Sequence, residues 1–366
     1  MRPVTHIITT IDRGGAEKQL LVLVREQISN GRKVTIVPLK GSNELQQDFY
    51  DLGASIDDRL RNRNFLVQII LFWYVGTAST EILHAHLPRA ELLISIAKKK
   101  RKFIISKHVT EKFTGSKKSF GLAKPLGRFV TSRAHHFIAI SSAVLEFMLD
   151  IGELSPTKDS SIVYYGFDPK VILKSSSDHA KLLMNLVKSD SLVIGSISRL
   201  VPQKDLFTLI RAFSIVQRQF PNAELKILGR GPQKMELLNY CNSHLSDCSK
   251  VTWIDHEPFV FDFLNSLDVF VLTSKYEGFG LVLLEAMQAG IPIVASNIAP
   301  IKEVLGQDFP NLCRIGDEND FSKKILSCQD SSNVTNFLIL QNQRLSLFNP
   351  QLMYQRIEEI YIKVYS

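Results

Sequence analysis

Short apolar runs alternate with stretches of helical period along most of this chain. THIITT (5–10) and KVTIVPL (33–39) read as strands, and AEKQLLVLVREQISN (16–30) between them reads as a helix closed by Gly31. EILHAHL (81–87), KFIISKH (102–108) and HHFIAIS (135–141) continue the strands, with RAELLISIAKKK and AVLEFMLDIG as helices. Strand, helix, strand with few hairpin signals predicts βαβ units and a parallel sheet. The regularity breaks over VYYGFDPKVILKSSSDHAK (163–181), where Gly, Pro and a serine cluster predict a linker. It restarts with SLVIGSIS (191–198), the helix DLFTLIRAFSIVQRQ (205–219) and AELKILG (223–229), followed by the strands VTWID, DVFVLTS and PIVAS. The closing PQLMYQRIEEIYIKVYS is amphipathic, with no strand after it. The expectation is an α/β chain of two Rossmann-like domains around a cleft, over 1–167 and 191–345. A linker at 168–190 and a final helix at 346–366 complete the plan.

Length and composition agree with that plan. The chain of 366 residues is 45% hydrophobic and 22% charged, as expected of a folded protein with more than one core. Its cysteines, Cys241, Cys248, Cys313 and Cys328, form no CxxC pair. Cys241, His244 and Cys248 lack an evident fourth ligand, so reduced cytosolic thiols are the reading and zinc is not expected. MRPVTHIITTID lacks the pattern of a signal peptide, and without secretion Asn333-Val334-Thr335 is a chance sequon. FLVQIILFWYV (65–75) is too short to cross a bilayer, and it can form a buried or an interfacial helix.

Charge separates the halves. Residues 1–167 hold 24 Lys/Arg against 15 Asp/Glu, a net of +9, and the remainder of the chain nets −1. Arg59, Arg61, Arg63 and the run Lys98–Lys102 belong to this excess. A one-sided basic field attracts anionic lipid or nucleic acid, and the reading here favours membrane over nucleic acid. The run at 98–102 also fits an ordinary solvated loop between a helix and a strand.

In open parallel sheets ligands bind beyond the carboxyl ends of the strands, so the exit loops carry the candidates. After the first strand, Gly14 and Gly15 open a helix, letting backbone N–H groups approach phosphate or sugar oxygens. Such a turn also occurs for structure alone, and it is not a dinucleotide fingerprint. His86 and His108 end two strands, with His84 deeper on the same face, while His135 and His136 look structural. His108 is a candidate for positioning a hydroxyl acceptor. Arg199 and Lys204 flank a strand-end loop, a receptacle for a diphosphate. Gly229 and Gly231 follow the next strand. No DxD triplet occurs, so no metal is expected to carry that diphosphate. In SKYEGFGLVLLEAMQAG, Glu277 lies in a strand's exit loop and Glu285 in the second turn of the following helix. A phosphate would repel both carboxylates. They suit neutral hydroxyls on either side of it, which asks for a sugar–diphosphate–ribose ligand.

With these motifs the sequence resembles the retaining GT-B glycosyltransferases of family GT4, those with a glycosyl transferases group 1 domain. The resemblance covers nearly the whole chain: Gly14-Gly15, the His108 strand end, Ser198-Arg199-Leu200-Val201-Pro202-Gln203-Lys204, and Glu277 to Glu285 followed by Ala-Gly-x-Pro. The carboxyl-terminal motifs are the specific ones. The resemblance implies that Arg199 and Lys204 hold the donor diphosphate and that Glu277 binds donor-sugar hydroxyls beside the Phe279, Gly280 and Leu281 backbone. It implies that Glu285 accepts from the ribose, that the loop near Ile254 meets the nucleobase, and that His108 sits beside donor sugar and acceptor. It further implies retention of anomeric configuration, a last helix crossing back to the first domain, and no cofactor beyond a nucleotide-diphosphate sugar co-substrate. The expected function is sugar transfer to a lipid-linked saccharide in bacterial surface-glycan assembly, by a cytoplasmic protein peripheral to the inner membrane face. A nucleotide-sugar epimerase, a sugar-phosphate synthase and a non-catalytic nucleotide-sugar-binding partner are the alternatives.

Overall fold

The structure is a computed structural model that describes residues 1–75, 81–97, 101–108, 113, 123–168, 192–255 and 260–366. Most of the expected linker and part of the Lys98–Lys102 run lie outside the described residues. The chain divides into two compact units, one of Met1–Val171 with Phe348–Ser366 and one of Ile172–Leu347.

The first unit holds a seven-stranded parallel sheet in the order β3-β2-β1-β4-β5-β6-β7. Its strands are β1 (Val4–Ile8), β2 (Val34–Pro38), β3 (Ser55–Ile56), β4 (Ile82–His86), β5 (Ile104–Lys107), β6 (His136–Ala139) and β7 (Ser160–Ile162). The central strands β1, β4, β5 and β6 are buried along their whole length, as expected where helices cover both faces. The order reverses between β1 and β4, which puts the exits of those strands at the switch point of the sheet. Short edge strands such as β3 and β7 gave no periodic signal in the sequence.

The last helix, Pro350–Tyr365, packs on the first helix, Gly15–Ser29, within this unit. Asn349 caps it through Gln351 N–H at 2.8 Å and Pro350 fills its first turn. It buries Met353, Tyr354, Ile357, Ile360, Tyr361, Val364 and Tyr365, a stripe of helical period. The Tyr365 hydroxyl ties it to the sheet, accepting from Leu83 N–H (2.9 Å) and donating to Lys102 O (2.6 Å).

The second unit holds a six-stranded parallel sheet, β10-β9-β8-β11-β12-β13. Here the strands are β8 (Val193–Ile197), β9 (Glu224–Leu228), β10 (Val251–Ile254), β11 (Val269–Leu272), β12 (Ile293–Ser296) and β13 (Leu312–Cys313). Its order reverses between β8 and β11, so the loops carrying Arg199 and Glu277 leave the two strands of the switch point. The loop after β9 lies hard against the one after β8. A Cβ on Gly229, whose φ is +149°, would sit 1.9 Å from the Ser198 carbonyl oxygen. Gly229→Ala is therefore expected to lower the stability of this unit by about 1–3 kcal/mol. Chemical denaturation checks this, and an unchanged midpoint would contradict the close approach.

Candidate active site

The candidates in the second unit gather on two loops laced together. Thr273 Oγ1 donates to Lys204 O (2.9 Å), Lys275 N–H to Gln203 O (2.9 Å) and Gln203 Nε2 to Tyr276 O (2.9 Å). Lys275 Nζ also lies 3.3 Å from Asp205 Oδ1, and Asp205 adopts a left-handed φ of +48° before the helix Leu206–Gln219. This lacing brings the Lys204 ammonium onto the Glu277 carboxylate, which also accepts from Ser274 Oγ at 2.7 Å. Both side chains of the pair are largely buried, at 13% and 9% exposure. The expected repulsion between Glu277 and an anionic ligand is thus offset within the protein by Lys204.

Arg199 sits at the β8 exit, exposed and in no ion pair among the described residues. Gly280, at φ +90°, turns the chain into the helix Leu281–Gln288, with Phe279 buried beneath it. Leu281 is the first residue of that helix, and Glu285 is buried in its second turn. Beyond β9 and β10, Gly229 N–H donates to Ile254 O at 2.8 Å, so these two candidates share one rim.

Gly14, Gly15 and His108 belong to the first unit. Gly14 precedes the first helix, and a Cβ on it would lie 2.3 Å from Glu17 Oε2. Glu17 is buried in the helix's first turn, accepts from Thr10 Oγ1 at 2.6 Å, and has its carboxyl pKa raised chiefly by desolvation. Sequence reading assigned it no role, although an acid two residues after the glycine pair was visible. Asp12 ties the loop to the next one, accepting from Ser42 N–H, Ser42 Oγ and Asn43 N–H at 2.9–3.0 Å.

His108 does not stand alone. With Gln27 Oε1 facing it, His6 donates from Nε2 at 2.9 Å, which leaves His6 Nδ1 to accept from His86 Nε2 at 3.0 Å. His86 Nδ1 then accepts from His108 Nε2 (3.0 Å), and His108 Nδ1 from the Tyr165 hydroxyl (2.6 Å). The other end runs from Gln27 Nε2 to the Tyr361 hydroxyl (3.4 Å), on to His84 Nδ1 (2.8 Å) and from His84 Nε2 to Ser106 Oγ (2.7 Å). One direction of donation satisfies every ring nitrogen, provided all four imidazoles are neutral. Burial enforces neutrality, lowering His6 to about 4 and His108 to about 3, and His84 and His86 well below the ordinary value.

His86 and His108 thus meet at adjacent strand ends, and both ring nitrogens of His108 are engaged by protein groups. They line a cavity of about 30 Å³ with Ser106, Tyr165 and Gln19, whose buried amide has neither atom hydrogen-bonded. His6, His84 and His86 bring ligand atoms within 4.8 Å of one another, a spacing a transition metal could use. His6, Gln27 and Tyr361 were missed by sequence reading, since a histidine within a buried strand carries no spacing signal. Among the described residues no helix is long and apolar enough to cross a membrane.

Two parallel-sheet Rossmann-like units, each with its candidate residues at strand exits, define the GT-B class of fold. Family models agree: "Glycosyltransferase Family 4" matches residues 13–171 and "Glycosyl transferases group 1" matches 184–337. The chain belongs to the family 4 glycosyltransferases. It is similar to the N-acetyl-alpha-D-glucosaminyl L-malate synthase of Bacillus anthracis, 29% identical over 52% of this chain and 49% of the relative. It is also similar to the O-antigen biosynthesis glycosyltransferase WclY of Escherichia coli, 27% identical over 46% of this chain and 48% of that one. These matches span about half the length of the curated relatives. Among solved structures, HepE of Anabaena, crystallised with UDP and glucose, has the same fold. It superposes with a TM-score of 0.80 at 20% identity, over 99% of this chain and 100% of that one.

Proposed function

We propose that this protein transfers a sugar from a nucleoside-diphosphate sugar to a hydroxyl acceptor, with retention of anomeric configuration and without a metal. The observation that carries the reading is the pairing of Lys204 with Glu277 at the switch point of the second unit, beside the exposed Arg199. Arg199 forks onto the diphosphate and Lys204 adds a point charge, and together they stabilise the leaving group as its charge develops. Glu277, held by Lys204 and Ser274, accepts from donor-sugar hydroxyls. The N–H groups of Phe279, Gly280 and Leu281 surround the same position, Glu285 takes the ribose hydroxyls, and Ile254 meets the base beside Gly229. In the first unit the Gly14 N–H is already bonded to Asp12 O (2.8 Å), so the role we propose for the Gly14-Gly15 turn falls to the Gly15 N–H, and His108 positions an acceptor hydroxyl by giving up its bond from the Tyr165 hydroxyl. The names of the relatives support a role in polysaccharide assembly, and a lipid-linked saccharide is the acceptor we propose. The net charge of +9 over residues 1–167 supports a position at an anionic inner membrane face.

Incubating the protein with a panel of nucleotide sugars and a lipid-linked saccharide acceptor, with and without EDTA, tests this reading. Release of a nucleoside diphosphate from one donor, unaffected by EDTA and with an α-linked donor giving an α-linked product, is expected. No release from any donor, together with no thermal shift by UDP or GDP, would refute it.

A further inference from the structure

The helix Phe65–Val75 is built inside out. Of its side chains described through Trp73, Gln68 is the one fully buried. Its amide donates to Leu39 O and Leu60 O at 2.8 Å each and accepts from Arg89 Nε at 3.0 Å. The outer face is apolar instead. Leu66 is 72% exposed, Ile70 61% and Trp73 59%, at the i, i+4, i+7 spacing of a single stripe. Ordinary surface helices place this stripe inward, and exposed hydrophobes elsewhere on a protein occur singly. Gln68 holds the helix in this orientation, because turning the stripe inward would break three hydrogen bonds. An ordinary core-facing helix, one of two forms this segment's sequence allowed, is thereby set aside.

Arginines flank the stripe. Arg89 stacks over the Phe65 ring at 5.0 Å and donates to Arg63 O at 3.4 Å, so Arg63 and Arg89 stand at the start of the helix. Arg63 is exposed, and Arg59 on the adjoining 3-10 turn and Arg61 just after it pair with Asp57 and Asp58. An apolar stripe beside guanidinium groups, on a half of the chain with a net charge of +9, matches an anionic lipid surface. A protein partner would satisfy the stripe but would not need the unit-wide positive excess. The helix is about 16 Å long against a hydrocarbon core of about 30 Å, so it lies in the interface and does not span it.

We propose that the Leu66–Ile70–Trp73 face inserts into the headgroup boundary of a bilayer containing anionic lipid, with Arg63 and Arg89 on the phosphates. The proposal deepens the membrane part of the function given above and rests on that part, not on the donor chemistry. The test is flotation with vesicles of phosphatidylcholine alone or mixed with phosphatidylglycerol. The full chain is compared with the variant Leu66→Gln, Ile70→Gln, Trp73→Gln and with Arg63→Gln, all at exposed positions. Wild type is expected to float with the mixed vesicles and to blue-shift its tryptophan emission, a shift that Trp73→Phe removes. The triple variant loses at least about tenfold in partitioning, as expected from removing buried apolar groups. Donor hydrolysis stays unchanged in it. Equal flotation of wild type and triple variant, or none with either vesicle, would overturn the proposal. So would a concentration-dependent dimer that the triple variant abolishes, since the occupant would then be a second copy. Vesicle binding with neither nucleoside diphosphate release from any donor nor a thermal shift by UDP or GDP would refute the transferase reading and leave this one standing.

Discussion

Replacing Arg199, Lys204 or Glu277 by alanine is expected to lower turnover at least about 100-fold in each case, the usual effect of removing transition-state electrostatics. Stability separates the three. Arg199 is exposed and makes no ion pair among the described residues, so Arg199→Ala should change folding stability by no more than about 0.5 kcal/mol. Lys204→Ala leaves a largely buried Glu277 carboxylate without its cation. Glu277→Ala leaves the ammonium in the same position. Each is expected to cost roughly 2–4 kcal/mol, because a partly solvated pair falls short of a fully buried one. The double variant should recover part of that loss without recovering activity. Steady-state kinetics beside denaturation of each variant provides the test. Full turnover in all three, with folding intact, would defeat the site assignment.

Acid should unfold the first unit before the second. Four imidazoles, those of His6, His84, His86 and His108, are held neutral by burial in the first unit. In the unfolded chain each titrates near 6.5. The folded-state values are depressed, so the unfolded state takes up protons that the folded state refuses. Stability is therefore complete above about pH 6.5 and is lost as pH falls toward about 4 for His6 and about 3 for His108. For His6 alone the loss amounts to about 3 kcal/mol by pH 4, and the four sites titrate as a coupled set. Among the described residues of the second unit the single histidine is the exposed His244. Calorimetry from pH 7.5 down to pH 5 should show one transition falling steeply and a second changing less. Two transitions that move in parallel would contradict this account.

Much of this was legible in the sequence because it is local. A strand followed by Arg199, Leu200 and Val201, or by Glu277, Gly278 and Phe279, announces its own exit loop. Gly280 and Gly290 bracket the helix between them. What could not be read depends on partners far apart in the chain. Lys204 and Glu277 are separated by 73 residues, and nothing local says that each neutralises the other. His84 and Tyr361 are 277 residues apart, and the deduction that His84 lies deep on its strand could not name a tyrosine on the last helix. Segment 65–75 illustrates a different limit. Its composition gives an apolar helix, but only the three bonds to Gln68 decide which side faces out.

The split of the first unit has a consequence for biosynthesis. Its sheet is complete by residue 171, yet the helix that covers Gln27 and His84 follows an intervening stretch of about 175 residues. At 5–20 residues per second the ribosome takes roughly 10–35 s over that stretch. The nascent first unit must wait through it with an apolar flank uncovered, while the contiguous second unit can close. The half made first is finished last.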